Sequence, residues 1–177
     1  VDSGGYIYVA DSGNNRVQKF TPARVFDTQW GGFNNPKGIA VGGGYVYVVD
    51  VYNQRVKKFD SSGGFITEWG GYGTEDGKFS YPRGIAVDSS GYVYVADTSN
   101  GRIQKFTNSG TFVTKWGASG NRYCYGVFYG LSGIVVAGDG HAYVADSSNN
   151  RVMKFVNLYD VVLTQVDLTM GAKTARV

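Results

Sequence analysis

Short apolar runs, each closed by small polar residues, recur along this chain in a fixed order. Residues 92–96 are apolar at every position, and they are followed by Asp97 and then by residues 102–106, which begin with Arg and end with Phe. An apolar run of this length predicts a strand that is covered on both faces. The same unit occurs four times, which makes the chain a repeat protein. The four copies are residues 6–20, 45–59, 92–106 and 141–155.

The most complete unit, residues 82–117, predicts four strands separated by turns rich in Gly, Asn, Ser and Asp. The first strand contains small apolar residues, as expected where strands crowd around an axis. The last strand alternates apolar residues with Thr and Lys, which is typical of an exposed outer edge. Four-stranded antiparallel meanders of this kind, stacked face to face around an axis, form a β-propeller.

We therefore predict an all-β fold, a β-propeller of four-stranded antiparallel blades with four blades visible. The prediction places residues 1–177 in a single domain. The chain opens within a repeat, so we expect a fragment or a partial propeller, and we expect the missing first strand to come from the tail, from another copy or from residues absent here. The predicted blades cover approximately residues 1–31, 32–70, 78–117 and 131–166, with 167–177 as a tail or closing segment.

The composition argues against two classes of function. The net charge is +3, and eight of the 17 basic residues occupy repeated Arg and Lys positions, so the positive charge belongs largely to the repeat. This makes a nucleic-acid partner unlikely. No apolar run approaches the roughly 20 residues that a membrane helix needs, so we expect no membrane insertion.

The spacings within residues 69–106 resemble the NHL repeat, and the resemblance extends from residue 1 to about residue 155. It implies a β-propeller used mainly for binding and sometimes for catalysis, with no single class of ligand. Propellers of that family commonly close with six blades, whereas four repeats are visible here. The residues that carry the resemblance include Trp69, Gly70, Gly73, Asp76, Gly77, Phe79, Pro82, Gly84, Asp88, Tyr94, Asp97, Asn100, Arg102 and Phe106.

A repeated pair of opposite charges flanks the turn between the second and third strands of every unit. The pairs could form an anion-binding ring, but their presence in each blade favours a structural clamp on the turn or on the neighbouring blade, because Arg can bind a carboxylate and turn carbonyls together. The pairs are Asp11 with Arg16, Asp50 with Arg55, Asp97 with Arg102, and Asp146 with Arg151.

Residues suited to catalysis are scarce. The only histidine, His141, aligns with Tyr6, Tyr45 and Tyr92, so it occupies a framework position. Acid–base catalysis and metal binding normally need a histidine with partners. Cys124 lies in the longest loop, with no histidine nearby in sequence. We therefore expect no catalytic residue, no metal and no cofactor.

The connections between blades vary in length, whereas the blades themselves do not. Such variation gathers on the binding face of repeat proteins. The connection at residues 118–130 combines aromatic residues with an Arg, as binding hot spots do, although these residues could instead cover a blade end or plug the channel. The predicted residues of the binding face are Lys37, Tyr72, Lys78, Arg83, Arg122, Tyr123, Tyr125, Phe128 and Tyr129.

These observations together predict a non-enzymatic scaffold for protein or ligand binding, an extracellular or cell-surface assembly module. The alternatives are an RNA-binding NHL propeller and a propeller lyase or hydrolase. We expect a protein partner or copies of the chain itself, with a small ligand as a further option.

Overall fold

The computed structural model describes residues 1–119, 127–156 and 164–167. These residues form successive antiparallel sheets, which we number as blades 1 to 4. Blade 1 has three strands, which are β1 (Ile7–Asp11), β2 (Arg16–Phe20) and β3 (Phe26–Trp30). Blade 2 has four, which are β4 (Pro36–Gly42), β5 (Tyr45–Asp50), β6 (Arg55–Asp60) and β7 (Phe65–Gly70).

Blades 3 and 4 also have four strands each, and a small parallel pair lies between them in sequence. Blade 3 contains β8 (Ile85–Val87), β9 (Val93–Asp97), β10 (Arg102–Phe106) and β11 (Phe112–Trp116). The parallel pair is β12 (Ala118–Ser119) with β13 (Val127–Phe128). Blade 4 contains β14 (Leu131–Val136), β15 (Ala142–Asp146), β16 (Arg151–Val156) and β17 (Thr164–Asp167). Within each blade the strands pair in chain order, which confirms the predicted meander.

Glycine allows the innermost strands of neighbouring blades to approach closely. A Cβ atom on Gly38 of β4 would overlap the carbonyl oxygen of Arg83, and one on Gly84 would lie 2.9 Å from the carbonyl oxygen of Ser132. No other residue fits such a close approach of two backbones. This explains why the first strand of each complete unit opens with Gly followed by small apolar residues.

Each pair of neighbouring blades shares its own hydrophobic core. Between blades 1 and 2, Tyr8 and Val17 pack in one cluster with Val46, Val48 and Phe59. The same repeat positions build the cores between blades 2 and 3 and between blades 3 and 4. In blades 2 and 3 the second strand is therefore buried on both faces, since one face of the sheet meets the preceding blade and the other meets the following one.

The first blade lacks a fourth strand within the part of the chain that the structure describes. In that part β1 pairs with β2 alone. Residues 168–177, one predicted source of the missing strand, lie outside the described residues, so the origin of that strand stays a prediction. Among the described residues, no helix is long and apolar enough to cross a membrane.

Candidate binding face

The Asp–Arg pair of every repeat forms an ion pair across the turn between the second and third strands. In each case the Arg Nε donates to the Asp Oδ2. The distances are 2.7 Å for Arg16–Asp11, 2.8 Å for Arg55–Asp50, 2.7 Å for Arg102–Asp97 and 2.8 Å for Arg151–Asp146.

In blade 3 this ion pair also holds the connection that precedes the blade. The other carboxylate oxygen of Asp97 accepts a hydrogen bond of 2.7 Å from the backbone N–H of Ser80. The guanidinium of Arg102 donates to the carbonyl oxygens of Thr74, Glu75 and Lys78 at 2.7–2.9 Å. A charged group that is buried with this many partners is a structural element. The pair therefore clamps the connection to the turn of its own blade.

Hydrogen bonds also join each connection to the turns on either side of it, so connections and turns lie at one end of the propeller. Ser99 donates its backbone N–H to the carbonyl of Ser80 at 3.0 Å. The Thr98 hydroxyl of the same turn donates to the carbonyl of Leu131, in the next connection, at 2.8 Å. We call this end the connection face. It comprises residues 31–37, 71–83 and 128–132 with the turns at 12–15, 51–54, 98–101 and 147–150.

All four exposed tyrosines in the described part of the chain lie on the connection face; they are Tyr52, Tyr72, Tyr81 and Tyr129. The turns at residues 61–64, 88–91 and 107–110, at the opposite end, consist instead of Ser, Gly, Asp, Asn and Thr. Phe26 and Phe65 are exposed at the start of the outer strands β3 and β7. The exposed tyrosines, by contrast, gather at one end, and such a cluster is characteristic of an interaction surface.

Tyr52 and Tyr81 form an edge-to-face pair on this surface, with ring centroids 6.2 Å apart and planes at 82°. Tyr52 occupies a turn position that holds Gly13, Ser99 and Ser148 in the other blades. Tyr81 has a positive φ of 47°, which is unusual for a residue with a large side chain. Neither residue was predicted from the sequence. An alignment of the four repeats would have shown Tyr52 as the one large side chain at a position that is otherwise Gly or Ser.

The left-handed conformation of Tyr81 belongs to the repeat. The corresponding positions before the inner strand are Asn35, with a φ of 56°, and Gly130, with a φ of 77°. Asn and Gly adopt this conformation at little cost, whereas Tyr does not. The backbone of Tyr81 is held by its N–H, which donates to Oε1 of Gln54 at 2.6 Å. The fold therefore requires the conformation, but it does not require the tyrosine.

Lys37 lies on the inner strand β4 and Arg83 precedes the inner strand β8 by two residues, and both line one open pocket of about 370 Å³. Gly38, Gly84, Ser132 and Gly133 contribute to its walls, together with Ile39, Ile85 and Ile134. Both cationic side chains are exposed. Within the described residues neither forms an ion pair or a side-chain hydrogen bond, and no acidic residue lines the pocket. The pocket therefore presents two positive charges to solvent.

Two predicted binding residues, Lys78 and Phe128, make contacts within the protein; the prediction for Lys78, which is exposed, stays a prediction. Lys78 donates from Nζ to the carbonyl of Gly70 at 3.0 Å, while its own carbonyl accepts from Arg102 and Gln104. The prediction that Phe128 binds a partner is wrong, because its side chain is fully buried. Phe128 packs against Phe155, with ring centroids 5.8 Å apart, in the core between blades 3 and 4.

The repeat itself contained the signal that Phe128 is buried. Phe33 and Phe79 stand, like Phe128, five positions before the Gly of the next inner strand, and both are buried. Of the remaining predicted residues, Tyr72 and Tyr129 are exposed on the connection face. Arg122, Tyr123 and Tyr125 lie outside the described residues, as does Cys124.

His141 lies away from the connection face. It precedes β15, at the opposite end of blade 4, and its Nε2 is 3.7 Å from Oδ2 of Asp139. Its side chain is half-buried, and its backbone N–H donates to Oδ1 of the same aspartate at 3.1 Å. The histidine and the pocket lined by Lys37 and Arg83 therefore belong to different ends of the propeller.

The electrostatics of the repeated clamp are clearest in blade 1. Hydrogen bonds from the side chains of Asn14 and Arg16 hold the pKa of the Asp11 carboxyl below its usual value. In blade 2, burial opposes the charge of Arg55, but the hydrogen bond with Asp50 and the charges of Asp50 and Glu68 raise the pKa of the guanidinium. Both shifts favour the charged forms of Asp11 and Arg55.

The sheets, their chain-order pairing and their stacking around an axis define this protein as a β-propeller. The family model for the NHL repeat matches residues 1–20, 33–59, 79–106 and 128–155, which together are more than half of the chain. The chain therefore belongs to the NHL-repeat family. In a comparison with curated protein sequences, nothing matches the chain.

Solved propeller structures share this fold at low sequence identity. A streptogramin B lyase is 20% identical with a TM-score of 0.73, over 96% of this chain and 53% of the lyase. Virginiamycin B lyase from Staphylococcus aureus is 18% identical with a TM-score of 0.71, over 96% of this chain and 54% of that one. A dihydro-heme d1 dehydrogenase is 15% identical with a TM-score of 0.67, over 94% of this chain and 36% of the dehydrogenase. This chain thus spans about half the length of the two lyases, and the likeness shows the fold alone.

Proposed function

We propose that this NHL propeller is a non-enzymatic binding module that takes a protein partner on its connection face. The observation that carries the proposal is the pair formed by Tyr52 and Tyr81. Both rings are exposed, they contact each other, and each replaces a small or turn-forming residue found in the other blades. Tyrosine is enriched at binding hot spots because a large, rigid ring with a polar tip binds at a low cost in entropy.

The backbone of Tyr81 supports the same conclusion. A non-glycine residue with a positive φ costs of order 1 kcal/mol, and such strain persists mainly where function requires the side chain. Tyr81 is 47% exposed, so about half of its surface is available to a partner. Contact with a partner would offset the cost of the strained backbone.

Lys37 and Arg83 define the chemistry that the partner should present. Arg83, which lines their pocket, follows Tyr81 by two positions in the sequence. Arg binds carboxylates through two parallel hydrogen bonds. We propose that the partner places an acidic side chain in the pocket and an apolar or aromatic group against the tyrosines.

An RNA partner is the alternative on the same face. Affinity for nucleic acid depends on several Lys and Arg contacts with phosphates. Of the predicted basic residues that the structure describes on this face, Lys78 is engaged with a carbonyl, and Lys37 and Arg83 remain. The protein partner is favoured because, among the described residues of this face, the four exposed tyrosines outnumber Lys37 and Arg83.

The lyase structures that share the fold raise the question of catalysis. The position of His141 supports a non-enzymatic role, since this single histidine lies at the end opposite the pocket. The extracellular or cell-surface location also stays a prediction, which proteolysis of intact cells would test.

Selection from a phage-displayed library of random peptides tests the proposed function. We expect the selected peptides to combine acidic and aromatic residues. The double variant Tyr52→Ala, Tyr81→Ala and the double variant Lys37→Gln, Arg83→Gln should each weaken binding of these peptides by about tenfold or more. Arg24→Gln is the matched control, because Arg24 is an exposed cation in the turn between β2 and β3, at the opposite end.

Two results would contradict the proposal. The first is peptides that bind both double variants as tightly as the wild type, which would place the site elsewhere. The second is tight binding of a fluorescent single-stranded RNA, lost steeply as salt is added and lost in the Lys37→Gln, Arg83→Gln variant, which would favour the RNA alternative.

A further inference from the structure

The connection before blade 3 is longer than the connection before blade 2. From the Trp of the outer strand to the Gly of the next inner strand there are 15 positions before blade 3 (Trp69–Gly84) and eight before blade 2 (Trp30–Gly38). The connection before blade 3 therefore has 15 minus eight, or seven, additional residues. Both connections lie within the part of the chain that the structure describes.

Two equivalent hydrogen bonds show where the additional residues are. The carbonyl oxygen of Lys78 accepts from Gln104 at 2.7 Å, and that of Gly32 accepts from Lys57 at 3.1 Å. Gln104 and Lys57 are each the third residue of the third strand of their blade. Lys78 therefore corresponds to Gly32, and the additional residues are 71–77. We call residues 71–77 the insertion.

The insertion contacts the third and outer strands of blade 3. Two of its carbonyl oxygens, those of Thr74 and Glu75, accept from the guanidinium of Arg102 at 2.7 and 2.8 Å. The carboxylate of Asp76 forms an ion pair with Lys115 of the outer strand β11. With these contacts in place, the side chain of Arg102 is only 7% exposed.

Blade 2 has the same strand positions, but no insertion covers them. The side chain of Arg55, the counterpart of Arg102, is 28% exposed, and its Nη1 donates to Oε1 of Glu68 at 2.9 Å. An open groove of about 570 Å³ lies on the outer part of this blade. We call it the blade 2 groove; it is lined by Lys57, Phe65, Ile66, Thr67 and Glu68. Phe65 and Ile66 are 56% and 44% exposed and form its apolar part.

We propose that the blade 2 groove binds a short segment of a protein partner, in the way that the insertion occupies blade 3. The charge of the groove defines the segment. Glu68 pairs with Lys57 across the strands, as Lys115 pairs with Gln104, so Glu68 stands where blade 3 has Lys115. The segment therefore carries Lys or Arg where the insertion carries Asp76, next to an apolar side chain that packs on Phe65 and Ile66.

Binding exchanges the partner of Arg55. The segment offers backbone carbonyl oxygens to Arg55, as the insertion does to Arg102. The carboxylate of Glu68, released from Arg55, then pairs with the basic side chain of the segment. Every peptide has carbonyl groups, so selectivity comes from Glu68, which attracts a basic side chain and disfavours an acidic one. The groove shares no residue with the connection face and is a second binding site.

Selection from a phage-displayed library tests this proposal. The library keeps residues 74–77 with Asp76→Lys and randomises three positions on each side. We expect selected peptides with apolar residues on one side. In fluorescence polarisation, restoring Asp in a selected peptide should weaken its binding to the wild type by about fivefold, and Glu68→Lys in the protein should reverse this preference. A misfolded variant would bind neither peptide, so the reversal separates charge from folding.

Two further variants place the peptide on the protein. Ile66→Ser should weaken binding by about fivefold. Val113→Ser is the matched control, because Val113 has the same position in blade 3 and is also 44% exposed; it should leave binding unchanged. The double variant Tyr52→Ala, Tyr81→Ala should also bind normally, which separates this site from the connection face. Loss of binding in that double variant would overturn the inference, as would a library without any peptide that responds to Glu68→Lys.

Discussion

The ion pair between Arg102 and Asp97 is buried, whereas the equivalent pair between Arg16 and Asp11 is partly exposed, although both measure 2.7 Å from Nε to Oδ2. The difference lies in what surrounds them. Arg102 also donates to carbonyl oxygens of the connection before its blade, while Arg16 donates to Gln29 at 2.7 Å. The Arg of the repeated pair therefore binds the connection in blade 3 and a side chain of the outer strand in blade 1.

We expect Arg102→Ala to lower the free energy of unfolding by about 3 kcal/mol, because it leaves the buried carboxylate of Asp97 without its cation and removes three hydrogen bonds to carbonyl oxygens of the connection. Arg16→Ala should cause a much smaller loss, since water can solvate Asp11. Urea denaturation of both variants measures the difference. Equal losses in the two variants would show that burial does not decide the strength of the clamp.

Gly110 should tolerate no side chain. It has a φ of +90°, and an added Cβ would lie 2.6 Å from the indole of Trp69 in the preceding blade. We expect Gly110→Ala to destabilise the protein by about 1–3 kcal/mol more than Gly44→Ala. Gly44 is the matched control, because it also has a positive φ, of +80°, but has nothing within 4 Å of an added Cβ. Thermal unfolding of the two variants would show a common midpoint if the contact with Trp69 did not matter.

The carboxyl of Asp60 should make stability depend on pH in the acid range. Backbone N–H groups of Gly64 and Ser62 donate to it at 2.9 and 2.8 Å and hold its pKa below the usual value. A group whose pKa is lower in the folded state stabilises the fold above its unfolded pKa, which is about 3.9 for Asp, and this contribution is lost as the pH falls through the folded pKa.

We therefore expect Asp60→Asn to be less stable than the wild type at pH 6 and to approach it at pH values below about 3. The amide oxygen of Asn can still accept the turn hydrogen bonds, so the turn itself should persist. Urea midpoints measured across this range check the expectation. A difference between the two proteins that does not change with pH would assign the effect to the shape of the turn and not to the charge.

The spacing of the repeat was sufficient to predict the blades, since each turn and strand has a fixed length and the register follows from it. The binding face was harder to predict. Phe128 was misassigned because it stands in an aromatic-rich loop, whereas its position relative to the next inner strand, shared with Phe79, determines its burial. Tyr81 was missed because a positive φ cannot be seen in a single repeat. It becomes visible only when Asn35 and Gly130 are aligned with it.

The strain at Tyr81 leads to a prediction in which stability and binding change in opposite directions. Tyr81→Asn places in blade 3 the residue that blade 2 has at the same position, Asn35, and Asn adopts a positive φ readily. The variant should gain about 0.5–1 kcal/mol in free energy of unfolding while it weakens binding of peptides selected on the connection face. Gains of this kind are expected where a residue is kept for function.

Tyr129→Asn is the control for this prediction, because Tyr129 is also an exposed tyrosine of the connection face but does not have a positive φ. It should show no gain in urea denaturation. If Tyr81→Asn were instead less stable than the wild type, the edge-to-face contact with Tyr52 would be holding the connection in place. The tyrosine pair would then be a structural feature of blades 2 and 3, and its exposure would no longer argue for a partner.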